Sequence, residues 1–147
     1  MSLKEKLSED MKGALRAKEA ARLGALRLLL SAVRQKEIDE RIELDDAGFV
    51  TVVEKLIKQR KDSVTQYLAA ARQDLADQEQ AEIEVLTAFM PQPFSEQEIA
   101  ALIQSALAET GAASAKDMGK VMAWLKPRLA GRADMGTVSA RIKSALA

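Results

Sequence analysis

Arg60 stands inside an apolar helical stripe, between Ile57 and Val64. A guanidinium there needs a carboxylate, because burying a charge without a partner is costly. Asp74 and Glu79, from the run Arg72-Gln73-Asp74-Leu75-Ala76-Asp77-Gln78-Glu79, are candidate partners, as is Glu37. Such a pair could bind a small molecule. Buried arginine is normally paired for structural reasons, so an interhelical ion pair that fixes register is the expectation. Met118-Gly119-Lys120-Val121-Met122 is the second constellation. Gly-Lys suggests a phosphate loop, but the pattern needs a glycine five residues earlier, where Ser114 stands, so the match fails. What is left is a helix start with free amides, a glycine and a lysine, an arrangement that attracts anions.

The third constellation is a basic set: Lys116, Lys120, Lys126, Arg128, Arg132, Arg141 and Lys143. Lys116 and Lys120 share a helix face, and Lys126, Arg128 and Arg132 cluster about Gly131. The plain reading is a solvated surface, and the sharper one is a phosphate-contacting patch. Only Trp124 is at hand for stacking, so shape and backbone contacts are favoured over base reading. The methionines 11, 90, 118, 122 and 135 fall on core faces and read as packing.

Composition narrows the chemistry. The 147 residues include no cysteine and no histidine, which removes thiolate chemistry, the commonest general base and the usual zinc ligands. No metal, no cofactor and no catalytic residue is expected, and the reading leans away from an enzyme. Net charge is zero, which argues against a general nucleic-acid binder. The distribution says more. Residues 1–90 carry 15 basic and 17 acidic groups; residues 115–147 carry seven basic groups against Asp117 and Asp134 alone. The charged N-terminus is unlike a secretory leader, and no run approaches the length that spans a bilayer. A cytoplasmic location and no membrane partner are expected on that basis.

The elements that position these residues all read as helices. Good helix formers dominate, and aromatics make up only 3%, so the core must be aliphatic. Ser2 with Glu5 forms a capping box ahead of a stripe Leu3, Leu7, Met11 and Leu15. A second helix spans about Ala20 to Ile42 on Leu23, Leu26, Leu30 and Val33, with Leu28 and Leu29 widening its apolar face. Asp45 or Asp46 caps a third, whose stripe runs from Phe49 to Leu75, and a fourth covers Gln78 to Phe89. Pro91 and Pro93 interrupt. Beyond them, Ser95 with Glu98 and Ser114 with Asp117 are capping boxes. Gly111 and Gly131 are stops, and Asp134 caps the last helix. The expected fold is all-α. An N-terminal antiparallel bundle of long helices fills 1–90, a Pro-containing hinge 91–94, and a small three-helix domain 95–147.

In order along the chain stand Leu26-Arg27 with Ser31-Ala32-Val33, then Lys58-Gln59-Arg60-Lys61-Asp62-Ser63, then Arg72-Gln73-Asp74-Leu75 with Glu79 and Glu82. Phe89-Met90-Pro91, Asp117-Met118-Gly119-Lys120-Val121-Met122 and Gly131-Arg132-Ala133-Asp134 follow. This ordered set, over nearly the whole chain, resembles the YqeY family. That family shares its C-terminal region with the tail of the B subunit of the tRNA-dependent amidotransferase (GatB). The resemblance implies a helical tail that recognises the body of a tRNA. Gly119-Lys120 and Gly131-Arg132 would then face the RNA. A label of carbon–nitrogen ligase with glutamine as amide donor would follow from the shared domain only, since the large catalytic domain has no counterpart here. The expected function is a tRNA-binding accessory. The alternative is an adaptor for an aminoacyl-tRNA synthetase or amidotransferase, motivated by the acidic, long-helix N-terminal half.

Overall fold

A computed structural model describes residues 1–129 and 131–147. Those residues form seven α-helices and one short 3-10 turn, with no strand among them. They divide into two compact units, Met1–Met90 and Pro91–Ala147.

In the first unit, α1 (Leu3–Arg16) opens on Ser2, whose Oγ accepts from the Glu5 amide at 3.1 Å. The Ser2 amide donates in return to the Glu5 carboxylate at 3.0 Å, so two orphan donors are satisfied reciprocally. Leu7 and Ala14 are fully buried, but Leu15 is 62% exposed. A spacing of four overshoots the helical turn by about 40° per step, so three steps carry Leu15 out of the core that Leu3 enters. Helix α2 (Ala20–Glu40) buries Ala25, Leu26, Leu29 and Val33, whereas Leu28 lies half in solvent. It stops at Arg41, in the left-handed conformation with φ 54°.

Asp45 caps α3 (Asp46–Ala69) by accepting from the Gly48 amide at 2.8 Å. Gly48 allows a close approach there, since a Cβ would stand 2.8 Å from Cδ2 of Leu44. Phe49, Val52 and Val53 fill the core from the first turns of α3, and Phe49 meets Phe89 at 5.8 Å between ring centroids. The long third stripe expected to reach Leu75 is cut at Ala70–Arg72, where Ala71 takes φ 58°. Helix α4 (Gln73–Thr87) therefore starts five residues earlier than expected. It packs back along α3 as a hairpin.

In the second unit, Ser95 caps α5 (Glu96–Thr110), and Gly111 ends it at φ 66°, a conformation glycine adopts without strain. The 3-10 turn Ala115–Asp117 leads directly into α6 (Met118–Leu129). Helix α7 (Met135–Leu146) is capped by Asp134, which accepts from the Gly136 amide. Val121, Leu125 and Leu129 of α6 are fully buried between Ile103 and Ala106 of α5 and Val138 and Ile142 of α7. Pro127 lies inside α6, so the Ala123 carbonyl lacks its usual helical donor.

Candidate nucleic-acid interface

The seven cations of the C-terminal unit are borne by the 3-10 turn, α6, the turn after it and α7, whereas α5 carries only Glu96, Glu98 and Glu109. Charge is thus segregated by element. It is not gathered into one cluster. At about 100° per residue, Lys126 and Arg128 stand roughly 160° apart on α6, flanking the buried stripe on opposite sides. Lys120 projects away from that stripe and is highly exposed.

The segment leading into α6 is held by a side chain. Asp117 Oδ2 accepts from the amides of Ala113 (2.9 Å) and Ser114 (3.4 Å). Those bonds, foremost the one from Ala113, hold its carboxyl below the usual range. Lys120 Nζ lies 3.9 Å from the same carboxylate. Gly119 is exposed, and a Cβ there would meet nothing within 4 Å, so packing within the unit does not demand glycine.

Two of the unit's three arginines are engaged inside it. The Arg128 guanidinium lies 3.7 Å over the Trp124 ring and donates to the Trp124 carbonyl. The indole donates in turn to Glu109 at 2.8 Å. Arg132 lies 3.6 Å over the Phe94 ring, and its Nε donates to the Gln92 carbonyl at 2.8 Å. The Phe94 amide donates to the Arg132 carbonyl at 2.9 Å, closing a clamp that holds residues 92–94 to the turn at Gly131 (φ 73°). Lys116, Lys126 and Lys143 are exposed, and they and Arg141 form no ion pair among the described residues.

Arg60 does find a carboxylate, but not at Asp74, Glu79 or Glu37. Its Nε donates to Glu82 at 2.8 Å, and its guanidinium also reaches the Leu56 carbonyl. The pair is only partly exposed, at 13% and 32%. The register of the α3–α4 hairpin explains the change of partner. A turn at Ala70–Arg72 brings residue 82 beside residue 60, while Asp74 sits in the first turn of α4. There Asp74 takes a two-point bond from Arg72, which lowers its pKa. Glu37 is bonded elsewhere, to Lys4 and to the Leu44 amide, and the Lys4 bond is the leading cause of its own lowered pKa.

One feature of the first unit lay outside the sequence reading. A groove of about 520 Å³ runs between α1 and α2, with Leu7, Met11, Leu23, Leu30 and Val33 lining it beside Lys4, Lys12, Arg27 and Arg34. Its signal was present in the spacing of Leu23, Arg27, Leu30 and Arg34, which alternates between four and three.

Among the described residues, no group of three or more His, Cys, Asp or Glu could hold a metal ion. No described helix is long and apolar enough to cross a membrane.

Three curated relatives carry the name altered inheritance of mitochondria protein 41, mitochondrial. The protein of Lachancea thermotolerans is 39% identical over 106 residues, covering 70% of this chain and 57% of that protein. In Saccharomyces cerevisiae (strain YJM789) the identity is 38% over 87 residues, covering 58% and 47%. In Vanderwaltozyma polyspora it is 35% over 85 residues, covering 57% and 46%. The chain spans about half the length of the curated relatives it matches. Their names overturn the expectation of a cytoplasmic location. That expectation rested on an N-terminus unlike an apolar secretory leader, which does not bear on mitochondrial targeting, where the segment is amphipathic and Arg-rich. The family model for Yqey-like proteins matches residues 4–146, and this chain belongs to the YqeY family.

Proposed function

We propose that this chain is an RNA-docking accessory protein whose C-terminal unit receives the phosphate backbone of a tRNA. The observation that carries the reading is the segregation of charge. Every cation of residues 91–147 lies on the turn–α6–α7 part, and α5 has only carboxylates. Lys116, Lys120, Lys126 and Lys143 supply exposed ammonium groups, which suit contacts to phosphate oxygens. Arg128 and Arg132, stacked on rings, contribute to the field and not to direct contacts. Cations spread about a helix fit a curved polyanion that wraps the unit better than a single phosphate in a pocket. The choice of tRNA comes from the resemblance of this region to the amidotransferase tail. Amide transfer itself is outside the proposal, since the chain offers no thiol, no imidazole and none of the amidotransferase catalytic domain.

The test is a titration of tRNA into the full chain over a salt series. Affinity is expected to fall steeply, with a log–log slope of about −0.9 per neutralised phosphate. Undetectable binding at low salt, or binding indifferent to salt, overturns the reading.

A further inference from the structure

The groove between α1 and α2 has a spacing, a length and a charge that together describe an occupant. Along α1 its wall is Lys4, Ser8, Met11 and Leu15, at intervals of four, three and four. Along α2 it is Leu23, Arg27, Leu30, Arg34 and Glu37, at four, three, four and three. Alternation between three and four is the pattern one helix shows to another when side chains interlock. Two such stripes lying side by side make the seat for a third helix. The α2 stripe is also distinct from the core face of α2, where Ala25, Leu26 and Leu29 are buried. At 1.5 Å per residue the stripes run for roughly 16 and 21 Å, or three to four helical turns.

Charge selects the kind of helix. The floor is aliphatic, and the ionic groups around it are Lys4, Lys12, Arg27 and Arg34 against Glu37 alone. Glu37 is already bonded by Lys4 and the Leu44 amide, and Lys12 by Glu9. Arg27 and Arg34, seven residues apart on one stripe, are exposed and make no ion pair among the described residues. Helix-in-groove recognition reads aliphatic anchors by position, and a basic rim rejects a basic partner.

We propose that this groove docks an acidic amphipathic helix of a partner protein. Carboxylates two turns apart face Arg27 and Arg34, and aliphatic side chains lie on Met11, Leu23 and Leu30. None of the C-terminal residues invoked for RNA takes part, so either reading can fail without the other. A second copy of this chain is a poorer occupant. The exposed stripe of α4, Asp77, Ala81, Glu84 and Ala88, has carboxylates seven apart but only alanines to lay on the floor.

The probe is a synthetic helix of about five turns, with leucines at alternating intervals of four and three and glutamates seven residues apart. Its twin has lysine in place of each glutamate. Both are titrated into the full chain by fluorescence anisotropy, and the site is mapped by amide chemical shifts. The acidic peptide is expected to bind at least about tenfold more tightly than its twin. Shifts should concentrate on residues 4–15 and 23–37, and saturating tRNA should not displace the peptide. Arg27→Glu with Arg34→Glu is expected to invert the order of the two peptides. Arg27→Gln with Arg34→Gln should abolish the preference without inverting it. Both pairs of substitutions are at exposed positions, so the circular dichroism of the variants should match that of the parent chain. Equal binding of the two peptides, no binding, or shifts outside the groove overturns the proposal. So does a dimer of the chain that the double charge reversal dissolves, since the groove then belongs to a second copy.

Discussion

The two units hold their cations in opposite ways. In the N-terminal unit two arginines share one stripe of α2 with Leu30 between them, and they face an open aliphatic floor. In the C-terminal unit the cations spread around α6 and beyond it, and Arg128 and Arg132 lie on the rings of Trp124 and Phe94. The difference separates two properties that a count of charges merges. Residues 1–90 are acidic in sum, yet the groove within them is lined by cations. Residues 115–147 are the most basic stretch, yet part of that charge works inside the unit. The sum speaks to long-range attraction. Arrangement decides whether the partner is a shaped helix or a flexible polyanion.

The largest expected effect tests whether the units are as separate in stability as in charge. The C-terminal unit is built around one helix, with Val121, Leu125 and Leu129 fully buried, and a domain of its size has little margin. Leu125→Ala removes a buried side chain at a cost of about 2–5 kcal/mol, comparable to the whole stability of a small domain. Trp124 is the single tryptophan, so its emission reports this unit alone. The expected outcome is a red-shifted Trp124 emission with most helical circular dichroism retained from the first unit. The matching Leu26→Ala, at an equally buried site in the first unit, should leave that emission unchanged. Joint loss in either variant breaks the comparison.

How far these features were legible depended on whether a local residue marked them. Ser2, Asp45, Ser95, Gly111, Ser114 and Asp134 each act through a side chain or a conformation of their own, and all stand at the helix ends where they were expected. The turn at Ala70–Arg72 has no glycine or proline. Alanine holds the left-handed conformation there at a cost that the packing of α3 on α4 offsets. That turn sets the register of the hairpin, and the register gives Arg60 Glu82 as its partner. Leu15 and Leu28 read as core because spacing alone cannot tell a buried face from an exposed one. The stacking of Arg132 on Phe94 joins residues far apart in sequence, which no local pattern encodes.

Arg132 and Lys126 sharpen the comparison at the next level down. Arg132→Ala removes the ring contact with Phe94 and the bond to Gln92, together worth about 1–2 kcal/mol to the C-terminal unit. Arg132→Lys should lose most of the same amount, because an ammonium lacks the planar fork. Lys126→Ala, at an exposed site, is expected to change stability by less than about 0.5 kcal/mol. In the tRNA titration the roles reverse, with Lys126→Ala flattening the salt slope by about one. Chemical denaturation followed by Trp124 emission, set beside the salt series, separates the two. Equal effects of both variants on both readouts would mean that Arg132 is not engaged internally.

The smallest effect concerns the end of the groove. Glu37, on α2, accepts from Lys4 on α1 and from the Leu44 amide ahead of α3, so one carboxylate joins three elements. The Leu3 amide adds a second tie, donating to Asp46 at 2.9 Å. The hydrogen bond from Lys4, then that from Leu44, holds the Glu37 carboxyl below its ordinary range, with Lys4 and Arg34 adding to the field. A group whose folded pKa is depressed binds fewer protons folded than unfolded, so its stabilisation is complete above the unfolded pKa. It is lost as pH falls from the ordinary carboxylate range through the lowered folded value. Glu37→Gln should therefore lower stability at neutral pH and narrow its gap to the parent chain as the solution is acidified. At the acid end both chains present an uncharged group to Lys4, and the gap should be least. Thermal melts from neutral to acid pH read this directly, and a gap that stays constant or widens would remove Glu37 as the tie.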